Sequence, residues 1–398
     1  MKILFLCHRF PLPAEGGGKI RALHIIRHLA GSGHDVTVCS LIGSPDEAVG
    51  AGELRNSGIR VESPVLGELA RWGRMLLRFP STEPMTFGYF RSRRLARRIA
   101  ALLREEPPDL ILAHCSSMGP YVEASEGIPS ILDFADMDSQ KWLDYSRVKP
   151  FPVSIAYAIE GRKLERREKE LSQAFDICTT ISLNELETLR GLSASANTDW
   201  FPNGVDLEYF SPAGDDYDPD LIVFVGRMDY FPNEQAMQWF CSHVWSKLRD
   251  RRATLRLRIV GARPGPAVRR LAQIDGVEVT GSVPDVRPCI LRAALSVAPL
   301  KIARGMQNKV LESMAMGIPV VTSERVGYGL GLGADSPLRL AETADQYVDS
   351  ILSLIEDRAL RQECARKGRE LVESDYSWGS AMRKLDEIID SVRASTGH

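Results

Sequence analysis

The chain has 398 residues, 44% of them hydrophobic and 26% charged, with a formal net charge of -2 at pH 7. That length suits two or three domains with proper cores, and the near-neutral balance gives no global reason to expect a nucleic-acid partner. Seven scattered cysteines without a close pair read as buried thiols of a reducing compartment, and no apolar run is long enough to span a membrane, so a cytoplasmic setting is expected.

Residues 1–7 read as a first strand rather than a signal peptide, because the apolar run ends at His8-Arg9. A loop from His8 to Lys19 carries Gly16, Gly17 and Gly18, followed by a helix from Ile20 to Gly31 with apolar Leu23, Ile26 and Leu29, and a strand from Asp35 to Leu41. The glycines do not follow the Gly-x-Gly-x-x-Gly spacing, so a nicotinamide cofactor is not indicated. They either let the backbone approach a phosphate or sugar closely or form an ordinary flexible loop. His24 and His28 share a helix face but lack the adjacent glutamate of a zinc peptidase, and read as structural.

From Leu69 to Arg104 the charges are almost all arginine, interleaved with Trp72, Leu76, Leu77, Phe79, Phe87, Tyr89 and Phe90. Such a stretch either lies on anionic lipid headgroups or forms helices with a solvated basic face, broken at Pro80 and Pro84. A strand from Asp109 to Ala113 delivers His114 to a sheet edge, and one from Ile131 to Phe134 delivers Asp133, Asp136 and Asp138. These groups suit acid/base work or gripping a sugar; a metal is the rival reading of Asp136 and Asp138, but no third ligand is identifiable and none is expected. Glu160 to Ala174 reads as a charged, solvated helix. Ile177 to Ile181 reads as a strand, and Ser182 as the N-cap of the helix that follows.

Ala213 to Pro219 reads as an interdomain linker, after which strands and helices alternate again. The strand Leu295 to Pro299 leads into a polar loop and a short helix with apolar Val310, Leu311, Met314 and Ala315, ended by Gly317 and Pro319. Arg304, Asn308, Lys309 and Glu312 gather at that helix start. There the free amides and helix dipole favour an anion, Arg304 and Lys309 suit phosphate and Glu312 suits paired sugar hydroxyls; ordinary surface charge is the alternative. The whole pattern predicts an α/β chain of two doubly wound domains facing a cleft.

Several segments together resemble the retaining glycosyltransferases of the GT-B fold, family four. These are Phe201-Pro202-Asn203-Gly204-Val205-Asp206, Phe224-Val225-Gly226-Arg227, Val310 to Val321, and Tyr376-Ser377-Trp378 before a last amphipathic helix. The resemblance implies two Rossmann-like domains. An acceptor-side domain would cover 1–205, a nucleotide-sugar-binding domain 206–375, and a helix over 376–398 would return to the first. It further implies that Glu312 binds ribose hydroxyls, that Arg227 lies against the donor diphosphate, and that Gly17 and Gly18 lie near the phosphate and acceptor. Asn308 and Lys309 join the donor site, while His114 or Asp136 would orient the acceptor hydroxyl or the transferred sugar.

Arg304 stands eight positions before Glu312, where the family often has a second glutamate, and the lysine that commonly follows the Gly-Arg pair is missing, so Lys309 is expected to supply that charge. The Gly-Met-Gln-Asn-Lys-Val-Leu-Glu pattern is similar to a branch associated with bacterial exopolysaccharide loci. The implied activity is transfer from a nucleotide diphosphate sugar to a glycan or lipid-linked acceptor with retention; no metal or other cofactor is expected to be required, and the arginine-rich stretch from Leu69 to Arg104 adds an expected peripheral contact with an anionic membrane. A sugar-nucleotide epimerase and a non-catalytic nucleotide-sugar-binding scaffold are the competing readings.

Overall fold

The computed structural model describes residues 1–14, 16–125, 127–214, 216–332 and 336–396. The chain divides into two compact units, one of Met1–Phe201 together with the segment from Met382 onward, the other of Pro202–Ala381. The sequence reading placed these breaks at 205 and 375. Of the segment read as a linker, Asp218 and Pro219 already belong to a strand, and Asp215 lies outside the described residues.

The first unit is built on seven strands: β1 (Lys2–Cys7), β2 (Asp35–Cys39), β3 (Arg60–Val61), β4 (Leu110–His114), β5 (Ser130–Ala135), β6 (Ile177–Thr180) and β7 (Thr198–Trp200). They lie in the order β3-β2-β1-β4-β5-β6-β7, and every neighbouring pair is parallel. β4 and β5 are buried along their whole length, as strands covered by helices on both faces must be. The strand order reverses between β1 and β4, so the carboxyl ends of those two strands flank the crevice where open α/β sheets bind ligands.

Two local expectations change. The glycine loop is shorter than its composition suggests, because the helix begins at Gly17 and runs to Gly31, with Gly16 as N-cap at φ 92°. Gly17 and Gly18 therefore occupy the first turn, where amides have no partner inside the helix, and both are exposed. The charged segment expected to be solvated is a helix from Val153 to Ser172 that buries Glu160, Leu164, Glu168 and Leu171 along one face. Charge density hid that stripe, since Arg162, Arg166, Lys169 and Glu170 on the other positions are exposed. Glu160 accepts from the amides of Met85 and Thr86, at 2.9 and 2.8 Å, and so ties down the start of the Met85–Phe90 helix.

The second unit carries β8 (Asp218–Val225), β9 (Arg256–Val260), β10 (Val277–Gly281), β11 (Ala293–Ala298), β12 (Val320–Thr322) and β13 (Arg339–Leu340), in the parallel order β10-β9-β8-β11-β12-β13. Here the reversal falls between β8 and β11. Ser182 caps its helix as expected, accepting from the Glu185 amide. Val205 and Ser377 form a bridge, with the Val205 amide donating to the Tyr376 carbonyl at 2.7 Å. Only glycine fits before it, because a Cβ on Gly204 would lie 2.3 Å from the backbone of Trp378.

Candidate active site

Two polar clusters form, one at the strand-order reversal of each unit. In the first, β5 delivers Asp133, which is wholly buried and gripped from three sides. Arg21, from the Gly17–Gly31 helix, donates Nε to Oδ2 at 2.9 Å and Nη2 to Oδ1 at 3.0 Å. His114 Nδ1 lies 2.8 Å from Oδ2, and Thr179 Oγ1 donates to Oδ1 at 3.0 Å. Arg21 is fully buried too, with its guanidinium 3.7 Å above the Phe201 ring and Nη1 donating to the Phe201 carbonyl. Burial alone would raise the Asp133 pKa, but the Arg21 charge and the hydrogen bonds from His114 and Arg21 overcome it and hold the carboxyl well below the usual range.

Asp133 thereby fixes the His114 ring through Nδ1. His114 Nε2 is left buried with no hydrogen-bond partner among the described residues, as is Nδ1 of His8, whose ring lies 5.9 Å from that of His114. Burial, followed by the nearby His114, pushes the His8 pKa well down, so His8 is neutral. Asp136 and Asp138 follow on the same edge; Asp136 is exposed, while burial raises the half-buried Asp138 carboxyl against the pull of Lys141. The backbone is strained at this edge: Cys115, next to His114, has φ 75°, and Ala135, two residues after Asp133, has φ 58°. Such outliers cost about 1–3 kcal/mol each and persist where surrounding structure fixes side chains for a task.

Among the described residues one group, His8, His114 and Cys115, is close enough to share a metal ion. Its thiol is pushed well above the ordinary range by burial, which opposes the thiolate that metal binding requires. Asp136 and Asp138 are outside this group, although their spacing made them the metal rival in the sequence.

In the second unit, β8 ends at Gly226-Arg227 and β11 leads through residues 299–307 to the Asn308–Ala315 helix. Lys309, in the first turn of that helix, extends over the Phe224 ring at 4.4 Å and donates Nζ to Asn233 Oδ1 at 2.5 Å. Asn233 sits in the first turn of the Phe231–Phe240 helix and is turned by its own Nδ2, which donates to the Arg227 carbonyl at 2.9 Å. Gly226 makes room for this meeting, since a Cβ there would lie 2.7 Å from Asn233 Nδ2 and 2.9 Å from Lys309 Nζ. Burial lowers the Lys309 pKa to about 7 and raises that of Glu312 to about 7, each shift partly opposed by the other's charge. Neither makes an ion pair among the described residues, and Asn308 Oδ1 is buried without a hydrogen-bond partner.

Arg227 is not at this meeting point. Its guanidinium is largely exposed and paired with Asp229, Nε to Oδ1 at 3.1 Å and Nη2 to Oδ2 at 2.8 Å. The structure thus groups Asn308, Lys309 and Glu312 on one helix start, and joins His114 with Asp136 at the edge of the first sheet. Sequence reasoning missed Arg21, His8 and Asn233. Arg21 looked like one more polar position on an amphipathic helix, and Asn233 gains meaning only through the fold that brings Lys309 to it.

Two family models match. The one described as "Glycosyl transferase 4-like domain" covers residues 16–204 and "Glycosyl transferases group 1" covers 219–357. Among solved structures, sucrose-phosphate synthase from Thermosynechococcus elongatus superposes with a TM-score of 0.71 at 17% identity, over 99% of each chain. HepE from Anabaena, crystallised with UDP and glucose, gives 0.68 at 14% identity, over 98% of this chain and 100% of that one. A variant of S. aureus TarM in complex with fondaparinux, alpha-GlcNAc-glycerol and UDP gives 0.66 at 10%, over 97% and 99%. At these identities the structural likeness speaks for the fold, and the two family models speak for the activity. The chain is a glycosyltransferase of the GT-B fold, with a glycosyl transferase 4-like domain followed by a glycosyl transferases group 1 domain.

Proposed function

We propose that the protein transfers a sugar from a nucleotide diphosphate donor to a glycan or lipid-linked acceptor, with retention of anomeric configuration, in the synthesis of a bacterial exopolysaccharide. One observation carries the donor assignment: Lys309 and Glu312 are held half-buried on one helix start without ion-pair partners, beside the buried and unsatisfied Asn308 Oδ1. Buried polar groups are normally satisfied, and a ligand offering both anionic oxygens and hydroxyls would satisfy these. Lys309 would take the diphosphate and stabilise its departure, and Glu312 would accept from ribose hydroxyls. Arg227 would join by exchanging Asp229 for phosphate.

In the first unit, Gly17 and Gly18 present first-turn amides. The Asp133-oriented His114 offers Nε2 to a sugar or acceptor hydroxyl, with Asp136 beside it. Departure and attack on one face of the sugar, with the leaving phosphate helping to deprotonate the acceptor, needs no protein nucleophile and no metal. The reaction would run on the cytoplasmic side. Peripheral contact with an anionic membrane is supported by the Glu68–Leu77 helix, which exposes Leu69, Trp72, Leu76 and Leu77.

The test is a thermal-shift screen of nucleoside diphosphates and their sugars, followed by turnover with the stabilising donor. One nucleotide sugar is expected to raise the melting temperature, and Glu312→Ala to abolish that shift. A Glu312→Ala protein that bound and used the donor as well as the parent would overturn the assignment.

A further inference from the structure

The Glu68–Leu77 and Met85–Phe90 helices and the start of the Arg93–Glu105 helix surround a cavity of about 500 Å³ lined by Arg74, Arg78, Arg91 and Arg93, with Leu77 and Gly88. None of the four guanidinium groups has an acidic partner among the described residues; Arg74 donates Nη1 to the Arg91 carbonyl at 2.7 Å and keeps its charge unmatched. Arginines nearby are used differently. Arg71 is buried and donates to the Leu66 and Leu41 carbonyls, Arg60 and Arg98 share Glu62, and Arg167 pairs with Glu123 and Glu170.

Gly88 lets the two helices cross closely, since a Cβ there would come within 2.8 Å of the Arg74 carbonyl and of Arg78 Cγ. Both arginines are thus held at the crossing, where four like charges around one cavity repel until an anion enters. Guanidinium groups match phosphate oxygens in bidentate geometry. The rim is apolar: Leu77, which lines the cavity, is 78% exposed, and Leu76 and Phe79 beside it are exposed as well.

The pocket also abuts the polar cluster of the same unit. Phe90, the residue before Arg91, packs edge-on against His8 at 4.9 Å, and His8 in turn neighbours His114. We infer that this pocket seats the diphosphate of a lipid-anchored acceptor, with the lipid chain on Leu76, Leu77 and Phe79; the ligand's role as acceptor rests on the glycosyltransferase reading above. A cavity of this size takes more than a free phosphate, and the apolar rim commits the occupant to an amphiphile.

The experiment titrates the full chain, with saturating UDP present to fill the donor site, with farnesyl diphosphate, farnesol, inorganic diphosphate and phosphatidylglycerol vesicles, in the parent and in Arg78→Ala/Arg93→Ala. Farnesyl diphosphate is expected to bind the parent more tightly than either farnesol or inorganic diphosphate, and at least tenfold more weakly to the double variant, with UDP affinity unchanged. Unchanged farnesyl diphosphate affinity in the variant would overturn the inference. So would equal affinity for inorganic and farnesyl diphosphate, which marks a free-phosphate site, or a variant that loses vesicle binding alone, which marks general membrane adhesion. Failure of both proteins to bind UDP would count against the donor reading and leave the pocket's own result standing.

Discussion

Lys309 Nζ meets Asn233 Oδ1 at 2.5 Å, so the first turns of two helices that are 76 positions apart in sequence share one hydrogen bond at the edge of the second sheet. Neither residue makes an ion pair there among the described residues, and burial has lowered the Lys309 pKa to about 7 against the opposing pull of the Glu312 charge. The cation is therefore poised where an anionic ligand would restore it.

Donor affinity should depend on pH in the direction this sets. A bound diphosphate favours charged Lys309 and raises its pKa, so binding takes up a proton once the free protein has lost one. As pH rises above about 7, affinity for a nucleoside diphosphate should fall by up to about tenfold per unit. Calorimetric titration from pH 7 to 9 checks this. Lys309→Met should bind at least tenfold more weakly at pH 7 and should lose this fall, since the remaining titrating group, Glu312 at about 7, gains its acceptor charge as pH rises.

The grip on Asp133 makes a stability prediction. Arg21→Met leaves a carboxylate buried without its guanidinium and should cost about 3–5 kcal/mol, the usual penalty for breaking a buried pair from one side. Because the folded pKa of Asp133 is depressed, its contribution is fully present above the unfolded value of 3.8 and is lost as pH falls below it toward the folded value. Urea midpoints at pH 7 and pH 3 should differ less in Asp133→Asn than in the parent.

How far the sequence spoke depends on range. The alternating strands and helices of both units, the Ser182 cap and the Asn308 helix start are local patterns, and they were legible in periodicity and capping chemistry. His114 ends β4 as read, because a polar residue after an apolar run marks a sheet edge, and Asp133 lies on the expected strand but two residues inside its end. What Asp133 does there was not legible, because its partners come from positions 21 and 179. The Val153–Ser172 helix misled for another reason: its buried Glu160 and Glu168 are the same residue type as its solvated ones, and only packing separates them.

Glu168 carries the opposite linkage to Asp133. It is wholly buried, Oε1 accepts from the Ser139 amide at 3.0 Å, and Oε2 has no hydrogen-bond partner among the described residues. Burial raises its pKa to about 8, with the Asp138 and Glu185 charges adding to the shift against the Ser139 hydrogen bonds. The folded protein thus holds a proton that the unfolded chain releases near pH 4.5, so stability falls as pH rises from there to about 8. Glu168→Gln keeps the acceptor and removes the charge. It should be nearly neutral at pH 5 and stabilising by roughly 1–3 kcal/mol at pH 8.5, read from urea midpoints at the two pH values.

The Val205–Ser377 bridge offers a steric test. A Cβ on Gly204 would lie 2.3 Å from both Cα and N of Trp378, and these are backbone atoms that cannot swing aside. The Val205 amide is committed to the Tyr376 carbonyl, so the two segments cannot part without losing that bond. Gly204→Ala should therefore destabilise the protein by about 3 kcal/mol or more, at the upper end for overpacking. The same substitution at Gly191, where a Cβ meets nothing within 4 Å and the position lies inside the Leu183–Leu192 helix, should instead stabilise by about 0.5–1 kcal/mol through helix propensity. Thermal unfolding of the two variants side by side separates a steric cost from a general effect of replacing glycine: opposite shifts in melting temperature are expected, and a Gly204→Ala protein as stable as the parent would show that the bridge yields.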